Sequence, residues 1–211
     1  IEPTGNGTED DARIWKLTRG AAPSSNPEAG LRRARAATML LLALPGSTYI
    51  YQGEELGLPE VTEIPDAERQ DPTFFRNPGV DVGRDGCRIP LPWTGEAPSF
   101  GFGADGSARA HLPQPSWFGA FAANRQDDVW GSTVEMYRRA LSLRHQLQGP
   151  EELRWLDSPD GVLAFERPGG WVCITNFNAE PVEVPSGELL VSSAPLEAGR
   201  LAWATTAWVQ R

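Results

Sequence analysis

The chain has 211 residues, a length that suits one ordinary domain or one and a half small ones. Its formal net charge of −9 argues against nucleic acid and anionic membranes as partners, because both repel an acidic protein, and leaves a neutral or cationic small substrate open. The apolar run Ala36–Leu44 is too short to cross a membrane and follows no basic n-region, so it predicts neither a membrane span nor a signal peptide.

The cysteines and histidines indicate neither a disulfide framework nor a metal site. Cys87 and Cys173 lie far apart in different contexts, which favours a reducing, cytoplasmic compartment. With two histidines and no Cys-x-x-Cys, we expect no metal ion. Gly101, Gly103 and Gly106 match G-x-G-x-x-G, but no predicted strand precedes them and no predicted helix follows, so we expect no nucleotide cofactor.

The first half of the chain predicts a loop, a helix and a strand. Residues 1–26 are polar and rich in Gly and Ser, which favours a loop. Asn26 and Pro27 predict the N-cap and first position of a helix that Pro45-Gly46 ends. The run Ser47–Tyr51 is typical of a buried strand. This order is half of a βαβ repeat and predicts a parallel sheet or barrel.

The middle of the chain is predicted to be a long loop followed by a helix. Residues 52–130 have no sustained periodicity and are dense in Pro, Gly and aromatic residues. Such a long segment is typical of a functional excursion that follows a strand. Ser132 and Glu135 form a capping box, which predicts the start of a helix that runs to about Gln148.

The last part of the chain predicts a small antiparallel β-sandwich. Val162–Phe165 and Trp171–Thr175 flank a Pro-Gly-Gly turn and predict a hairpin. Further short strands are expected near Val182–Val184, Glu188–Val191 and Thr206–Val209. Short strands with turns every few residues are typical of a sandwich. We therefore predict a domain boundary near residue 150.

Two motifs carry candidate chemistry. Glu54 and Glu55 directly follow the predicted strand, where barrel enzymes place their active sites. Adjacent residues point in different directions, so a supporting role is favoured over a direct one, with a solvated loop or a buried salt-bridge partner as the alternatives. In the second motif Arg84 and Arg88 flank Asp85. Arginine donates forked hydrogen bonds to carboxylates or sugar hydroxyls, so both ligand binding and simple bracing of the loop stay open.

These motifs carry a resemblance to a known family. The run from Leu44 to Gly57 resembles the last barrel strand of the α-amylase superfamily, glycoside hydrolase family 13, in the branch with α-glucosidase, oligo-1,6-glucosidase, trehalose synthase and sucrose isomerase. Residues 84–93 are similar to that family's Arg-Asp-x-x-Arg-x-Pro-x-x-Trp signature, and residues 64–66 and 69–72 match the bacterial α-glucosidases.

The resemblance implies an α/β plus all-β fold. Residues 1–150 are expected to be the C-terminal part of a catalytic (β/α)₈ TIM barrel: helix 7, strand 8, a long loop and helix 8. Residues 151–211 are expected to form the small antiparallel β-sandwich domain. The implied partners are a small oligosaccharide substrate and the missing N-terminal half of the same barrel.

The resemblance also implies a retaining mechanism with an Asp nucleophile, a Glu acid/base and a second Asp in a His-Asp pair. The family's Asn-His-Asp should precede the first predicted helix, but no histidine occurs there, and Asn6, Glu9, Asp10 and Asp11 do not reproduce it. We therefore expect no catalytic residue in this chain, which alone should be inactive. The motif is expected to lie upstream.

What the resemblance transfers to this chain is substrate binding. The family places an Arg of the signature loop at the sugar in the −1 subsite, which implies Arg84 or Arg88, with Arg84 slightly favoured. The other is expected to brace the site through Asp85 or a barrel carboxylate. Gln52 and Glu54 are expected to shape the floor of the site.

Three aromatic residues are expected to form a wall that stacks on a sugar face, with ordinary packing as the alternative: Phe74, Phe75 and Trp93. The implied enzyme is a retaining, exo-acting α-glucosidase that hydrolyses short α-glucosides of the maltose and isomaltose type to glucose, without a cofactor. The alternatives are a non-catalytic carbohydrate-binding protein and a transporter-associated homologue whose barrel carboxylates are replaced.

Overall fold

The computed structural model describes residues 2–3, 9–103 and 109–211, with side chains from residue 10 onward. Asn6 and Gly106, both considered above, lie outside the described residues. The chain forms two compact units, each described here by itself. The first unit is Ile1–Gly30 with Gln52–Asp127, and the second is Leu31–Tyr51 with Asp128–Arg211. The predicted boundary near residue 150 divides the barrel part from the β-domain, which is a different division from these two units, and it stays a prediction.

Strands and helices alternate up to Ala43, short helices and α5 follow up to Gln146, and from Arg154 onward the described elements are strands. The helices are α1 (Glu9–Leu17), α2 (Pro27–Ala43), α3 (Pro72–Arg76), α4 (Ala123–Gln126) and α5 (Thr133–Gln146). The strands are β1 (Glu2–Pro3), β2 (Ser25–Asn26), β3 (Arg154–Trp155), β4 (Val162–Arg167), β5 (Trp171–Asn176), β6 (Val182–Glu183), β7 (Glu188–Ser192), β8 (Arg200–Leu201) and β9 (Thr205–Gln210). None of the described helices combines the length and apolar character that crossing a membrane requires.

The prediction of a loop over residues 1–26 is wrong in two places. The helix α1 lies within this range, and β1 pairs antiparallel with β2. Within α1, Trp15 is buried, and its carbonyl accepts a hydrogen bond from the backbone N–H of Gly20 (2.8 Å). Lys16 forms a 3.0 Å ion pair with Glu60. The helix is therefore stabilised by contacts distant in sequence, which a local polar composition does not reveal.

The prediction of α2 is confirmed, together with both of its ends. The Asn26 side-chain oxygen accepts from the N–H of Ala29 (3.0 Å), as an N-cap does. At the other end the Arg144 guanidinium donates to the carbonyls of Leu44 (2.8 Å) and Gly46 (2.6 Å). A cation there satisfies carbonyls that the helix leaves without partners.

The predicted buried strand Ser47–Tyr51 is wrong. The segment is irregular, and its side chains are largely exposed, with Tyr49 at 93%. A strand of a parallel sheet exists only when its backbone N–H and C=O groups are paired with neighbouring strands. No described residue forms a strand beside this segment.

The first unit is built mainly from short turns, as the absence of periodicity over residues 52–130 predicts. Besides α1, the β1-β2 pair, α3 and α4, it contains short 3₁₀ segments at Asp66–Glu68, Asp85–Cys87, Pro98–Gly101 and Ser116–Phe121. A compact apolar cluster holds these turns together, consisting of Val61, Ile64, Ile89, Leu112 and Phe118. The unit therefore gains its stability from tertiary packing rather than from regular backbone hydrogen bonding.

The second unit contains an antiparallel sheet with the strand order β3-β4-β5-β9-β7 and a separate β6-β8 pair. The predicted hairpin is confirmed as β4 and β5, and the three other predicted strands are β6, β7 and β9. The sequence pattern missed β3 and β8. Each has only two residues, which is too few for an alternating pattern to show.

Both faces of the five-stranded sheet are buried. Phe165, Trp171, Cys173 and Trp208 pack on one face with apolar residues of α2 and α5. On the other face the β6-β8 pair contributes Val182 and Leu201 to a second cluster, whose sheet residues are Val162, Ala164, Ile174 and Ala207. The sheet thus lies between two hydrophobic clusters, with the helices on one face and the β6-β8 pair on the other.

Buried polar groups also join the sheet to α2. The Trp208 indole N–H donates to the carbonyl of Met39 (3.2 Å), and the Thr206 hydroxyl donates to the carbonyl of Ala36 (2.8 Å). Thr206 also shares a 2.7 Å hydrogen bond with Thr175 on the adjacent strand. Each buried polar atom named here has a partner, so burial carries no unpaired-group penalty at these positions.

We predict that Trp208→Ala lowers the free energy of unfolding of the second unit by about 3–5 kcal/mol, because it leaves a cavity in a closed core. Urea denaturation followed by near-UV circular dichroism measures this change. Trp130→Ala is the matched control, since that side chain is 87% exposed. Equal losses for the two variants would contradict the description of this core.

Candidate functional site

The Arg84–Arg88 segment is a tight turn docked onto the backbone of the first unit. The N–H groups of Cys87 and Arg88 donate to the carbonyls of Arg84 (3.2 Å) and Asp85 (3.0 Å). The Gly86 carbonyl accepts from the N–H of Val61 (3.1 Å). A β-carbon at Gly86 would lie 2.3 Å from the Val61 carbonyl oxygen, so this position requires glycine.

Asp85 is the buried centre of this turn, with 1% of its surface exposed. One carboxylate oxygen accepts from the backbone N–H groups of Gln70 (2.8 Å) and Asp71 (2.9 Å). The other accepts from the guanidinium of Arg88 (3.2 Å). Asp85 therefore fixes the turn to the segment that precedes α3.

Asp71 is a second buried carboxylate, and it connects three parts of the unit. One oxygen accepts from the Thr73 N–H (2.9 Å) and caps α3. The other accepts from the Arg84 N–H (2.8 Å) and the Arg88 guanidinium (2.5 Å). The backbone N–H donors of Thr73 and Arg84, aided by the positive charge of Arg88, hold the pKa of Asp71 at about 2.

Gly83 allows Asp71 to approach this closely. Its φ angle is +71°, in the left-handed region that glycine adopts most easily. A β-carbon at this position would lie 2.6 Å from the carboxyl carbon of Asp71. Any side chain at Gly83 would therefore displace the carboxylate that holds Arg84 and Arg88.

The two arginines of the signature differ in exposure and contacts. The Arg88 guanidinium is shared by Asp71 and Asp85, and its side chain is 37% exposed. Arg84 is exposed, and within the described part of the chain its guanidinium has no hydrogen-bond or ion-pair partner. Its backbone, by contrast, is held through both its N–H and its carbonyl. The turn thus presents one free guanidinium on a fixed backbone.

Two aromatic residues lie on α3, whose N-cap is Asp71. The Arg69 guanidinium lies over the ring of Phe74 at 5.1 Å, and Phe74 meets Phe75 edge to face at 5.3 Å. Phe75 is 61% exposed, whereas Phe74 is half-buried. The outer ring is therefore available for contact, and the inner ring serves as its support.

Trp93 is also exposed, at 51%, while its backbone is held. Its N–H donates to the carbonyl of Phe100 (2.8 Å), and its carbonyl accepts from the N–H of Asn124 (3.0 Å). This arrangement resembles that of Arg84, since a fixed backbone carries an exposed side chain.

Gln52 and Glu54 are exposed and lie in the turn that follows the irregular segment. In this turn Gly53 has φ +92°, and its N–H donates to the side chain of Glu55 (2.8 Å). Gln52 and Glu54 were expected at the end of a buried strand. They do not lie at a strand end, because residues 47–51 are not a strand. Their role in shaping a site stays a prediction.

The sequence reasoning did not single out Asp71 or Arg69 as functional residues. The signal for Asp71 was available, because an Asp before Pro72 is a typical N-cap. Arg69 has a side chain only 3% exposed and donates to the carbonyls of Thr62 (3.4 Å) and Val82 (3.3 Å). Its contacts are with residues distant in sequence, which no local pattern predicts.

Cys87 lies in the signature turn and has a free thiol. Its side chain is half-buried, and the thiol donates to the Arg84 carbonyl (3.2 Å). Cys173 is free and fully buried, and this burial raises the pKa of its thiol far above the usual range. Only Cys87 is accessible to solvent.

Comparison with known proteins gives the family and the fold of this chain. Residues 7–150 match the family described as alpha amylase, catalytic domain. Over 156 residues the chain is 31% identical to a probable alpha-glucosidase of Rhizobium meliloti (strain 1021). The matched region covers 70% of this chain and 27% of that protein. It is 33% identical over 113 residues to the trehalose synthase/amylase TreS of Mycobacterium tuberculosis, covering 52% of this chain and 16% of the relative.

Solved structures with a similar fold include the alpha-glucosyl transfer enzyme XgtA, with a TM-score of 0.67 and 33% identity over 91% of this chain and 37% of that one. Trehalose-6-phosphate hydrolase of Bacillus licheniformis has a TM-score of 0.66 at 18% identity, covering 94% of this chain and 41% of the hydrolase, and shows the fold alone.

These likenesses confirm the predicted fold class, a C-terminal part of a (β/α)₈ barrel followed by an antiparallel β-domain. The chain spans about a quarter of the curated alpha-glucosidase that it matches. Because the family match extends over more than half of the chain, this protein belongs to the α-amylase family.

Proposed function

We propose that this chain supplies the C-terminal part of the barrel and the β-domain of a retaining α-glucosidase. The enzyme would release glucose from the non-reducing ends of short α-glucosides of the maltose and isomaltose type. Family membership and the similarity to a probable alpha-glucosidase and to an alpha-glucosyl transfer enzyme support this proposal. The observation that carries it is the free guanidinium of Arg84 on a fixed backbone.

Arg84 is suited to bind a neutral sugar. Its planar guanidinium offers five N–H donors, which match the lone pairs of adjacent hydroxyl groups. Its backbone N–H is already fixed by Asp71, so ligand binding orders only the side chain. Arg88 is less suited, because two carboxylates already share its guanidinium. We therefore assign sugar binding to Arg84 and bracing to Arg88.

The aromatic residues complete the proposed binding surface. The exposed rings of Phe75 and Trp93 offer flat apolar faces, and a sugar ring has an apolar face of C–H groups that packs against such surfaces. Phe74 supports Phe75, and Gln52 and Glu54 contribute polar groups at the floor. Breaking the glycosidic bond requires carboxylates, which we place on the earlier strands of the barrel. We also propose a cytoplasmic location, since neither cysteine is paired.

The first experiment is to sequence the coding DNA upstream of the codon for Ile1 and to express the extended reading frame. The expected frame contains an Asn-His-Asp and an earlier Asp and Glu, and the product releases glucose from maltose or isomaltose. A frame that lacks these carboxylates would overturn the hydrolase and favour the transporter-associated homologue. A start codon at this position, with maltose binding by the chain alone, would favour the carbohydrate-binding alternative.

In the extended enzyme, we predict that Arg84→Ala lowers kcat/KM for maltose by about 100-fold, because a hydrogen bond from a charged donor to the substrate is lost. The free energy of unfolding should change by less than about 0.5 kcal/mol, since Arg84 is exposed. Arg125→Ala is the matched control, because Arg125 is exposed and its one ion pair among the described residues is with the exposed Glu96. Steady-state kinetics with full activity in Arg84→Ala would refute the assignment.

We predict a pH-dependent contribution of Asp71 to stability. Its pKa is lowered on folding, so the stabilisation is fully present above the unfolded value of about 4 and is lost as the pH falls through about 2. Asp71→Asn should therefore lower the free energy of unfolding by about 2 kcal/mol at pH 7, and less as the pH falls towards 2.

Urea unfolding of the parent and the variant between pH 7 and pH 3 measures this difference. Asp66→Asn is the control, because the Asp66 carboxylate is 62% exposed, so that solvent screens its ion pairs with Arg19 and Arg69. A difference between parent and Asp71→Asn that stays constant over this range would show that the charge of Asp71 is not responsible.

A further inference from the structure

The second unit contains a cleft of about 580 Å³ between the start of α5 and the edge strand β7. Its lining includes Asp128 and Trp130 before the helix, Glu135 and Arg139 on the helix, and Leu189 on the strand. The sequence analysis gave none of these residues a function. The cleft belongs to a different unit from the Arg84 turn, so it is a separate feature of the chain.

Trp130 is the unusual residue of this cleft, because 87% of its surface is exposed. The other tryptophans of this unit include Trp171 and Trp208, which are almost completely buried in the core. A large aromatic ring in water is unfavourable, and tryptophan exposed in this way is typical of binding surfaces. Trp130 is not part of the described hydrophobic clusters of the unit, so its ring is open to a ligand.

The backbone that carries Trp130 is fixed. Arg35 donates to the carbonyls of Gly131 (2.9 Å) and Ser193 (2.9 Å), which ties this turn to the end of β7. The N–H of Asp128 donates to the side chain of Glu135 (3.3 Å), and the N–H of Ser132 donates to the carbonyl of Val129 (3.0 Å). The indole is therefore presented by a preorganised turn, which lowers the entropy cost of binding.

The polar groups around the indole favour an uncharged ligand with several hydroxyl groups. Asp128 and Glu135 carry carboxylates, and Arg35 and Arg139 carry guanidinium groups, so neither sign of charge dominates the cleft. A peptide strand is a poorer fit, because the carbonyl of Leu190 on this edge strand already accepts from Arg139 (3.3 Å). A sugar combines hydroxyl groups with an apolar ring face that packs on an indole.

We propose that this cleft is a second carbohydrate-binding site, which takes a short neutral oligosaccharide with one ring stacked on Trp130. The choice of an α-glucoside as the ligand rests on the proposed function, whereas the site itself does not. Asp128 and Arg139 hydrogen-bond hydroxyl groups of the stacked ring. The site holds a sugar chain without cleaving it.

The test is calorimetric titration of the chain with maltotriose in the Arg84→Ala background, which removes binding at the first site. We expect saturable binding that Trp130→Ala weakens at least tenfold and Trp130→Phe weakens less, because phenylalanine retains an aromatic face. Trp155→Ala is the matched control, since Trp155 is an exposed tryptophan of the same unit outside this cleft. Its affinity should equal that of the parent.

Three results would overturn the proposal. The first two are no saturable binding in the Arg84→Ala background and equal affinity in the chain with and without Trp130. Near-UV circular dichroism confirms that each variant is folded, which is expected for so exposed a side chain. Acrylamide quenching of tryptophan fluorescence in the extended protein gives a second readout and the third such result. If the Trp130 indole is shielded from acrylamide in the absence of sugar, another part of the protein covers it, and the proposed site is ruled out. If the extended protein releases no glucose but binding still depends on Trp130, the proposed function is refuted and the second binding site stands.

Discussion

The carboxylate of Asp71 is the contact on which the candidate site depends. It accepts from the N–H of Thr73, the N–H of Arg84 and the guanidinium of Arg88, three groups that belong to α3 and to the signature turn. Because these donors converge on one buried group, the position of the aromatic helix and the position of Arg84 are coupled. The glycine at position 83 follows from the same contact, since no side chain fits against Asp71. The low pKa of Asp71 is a consequence of this geometry, because each donor stabilises the ionised form.

The elements that the sequence predicted correctly have their signals within a few residues. Asn26-Pro27 starts α2, Ser132 caps α5 with a hydrogen bond from the N–H of Glu135 (3.2 Å), and the glycine turn joins β4 to β5. Two predictions failed because the relevant partners are distant. The helix α1 depends on the burial of Trp15, and a strand at residues 47–51 depends on neighbouring strands that no described residue provides. Local pattern therefore predicted capped and hairpin elements, and failed where tertiary contacts decide the conformation.

For the candidate site, the sequence identified the signature turn but left open which arginine is free. The two arginines are four residues apart in chemically similar surroundings, so composition alone does not separate them. The difference arises from Asp71, which lies 13 residues before Arg84 and forms the ion pair with Arg88 rather than Arg84. The same limit applies to Phe74 and Phe75. Their adjacent positions suggested equal roles, but the stack of Arg69 on Phe74 leaves only Phe75 exposed.

The buried carboxylates of the first unit have contacts that suit bracing and not proton transfer. Each oxygen of Asp71 and Asp85 already accepts at least one hydrogen bond from a backbone N–H or from Arg88. A general acid must be protonated near neutral pH, and Asp71, with a pKa of about 2, is ionised throughout that range. A nucleophile needs an oxygen that reaches the substrate, but both side chains are almost completely shielded from solvent. This arrangement gives a rigid support for one free arginine, and it is the reason that we place bond cleavage on other carboxylates of the barrel.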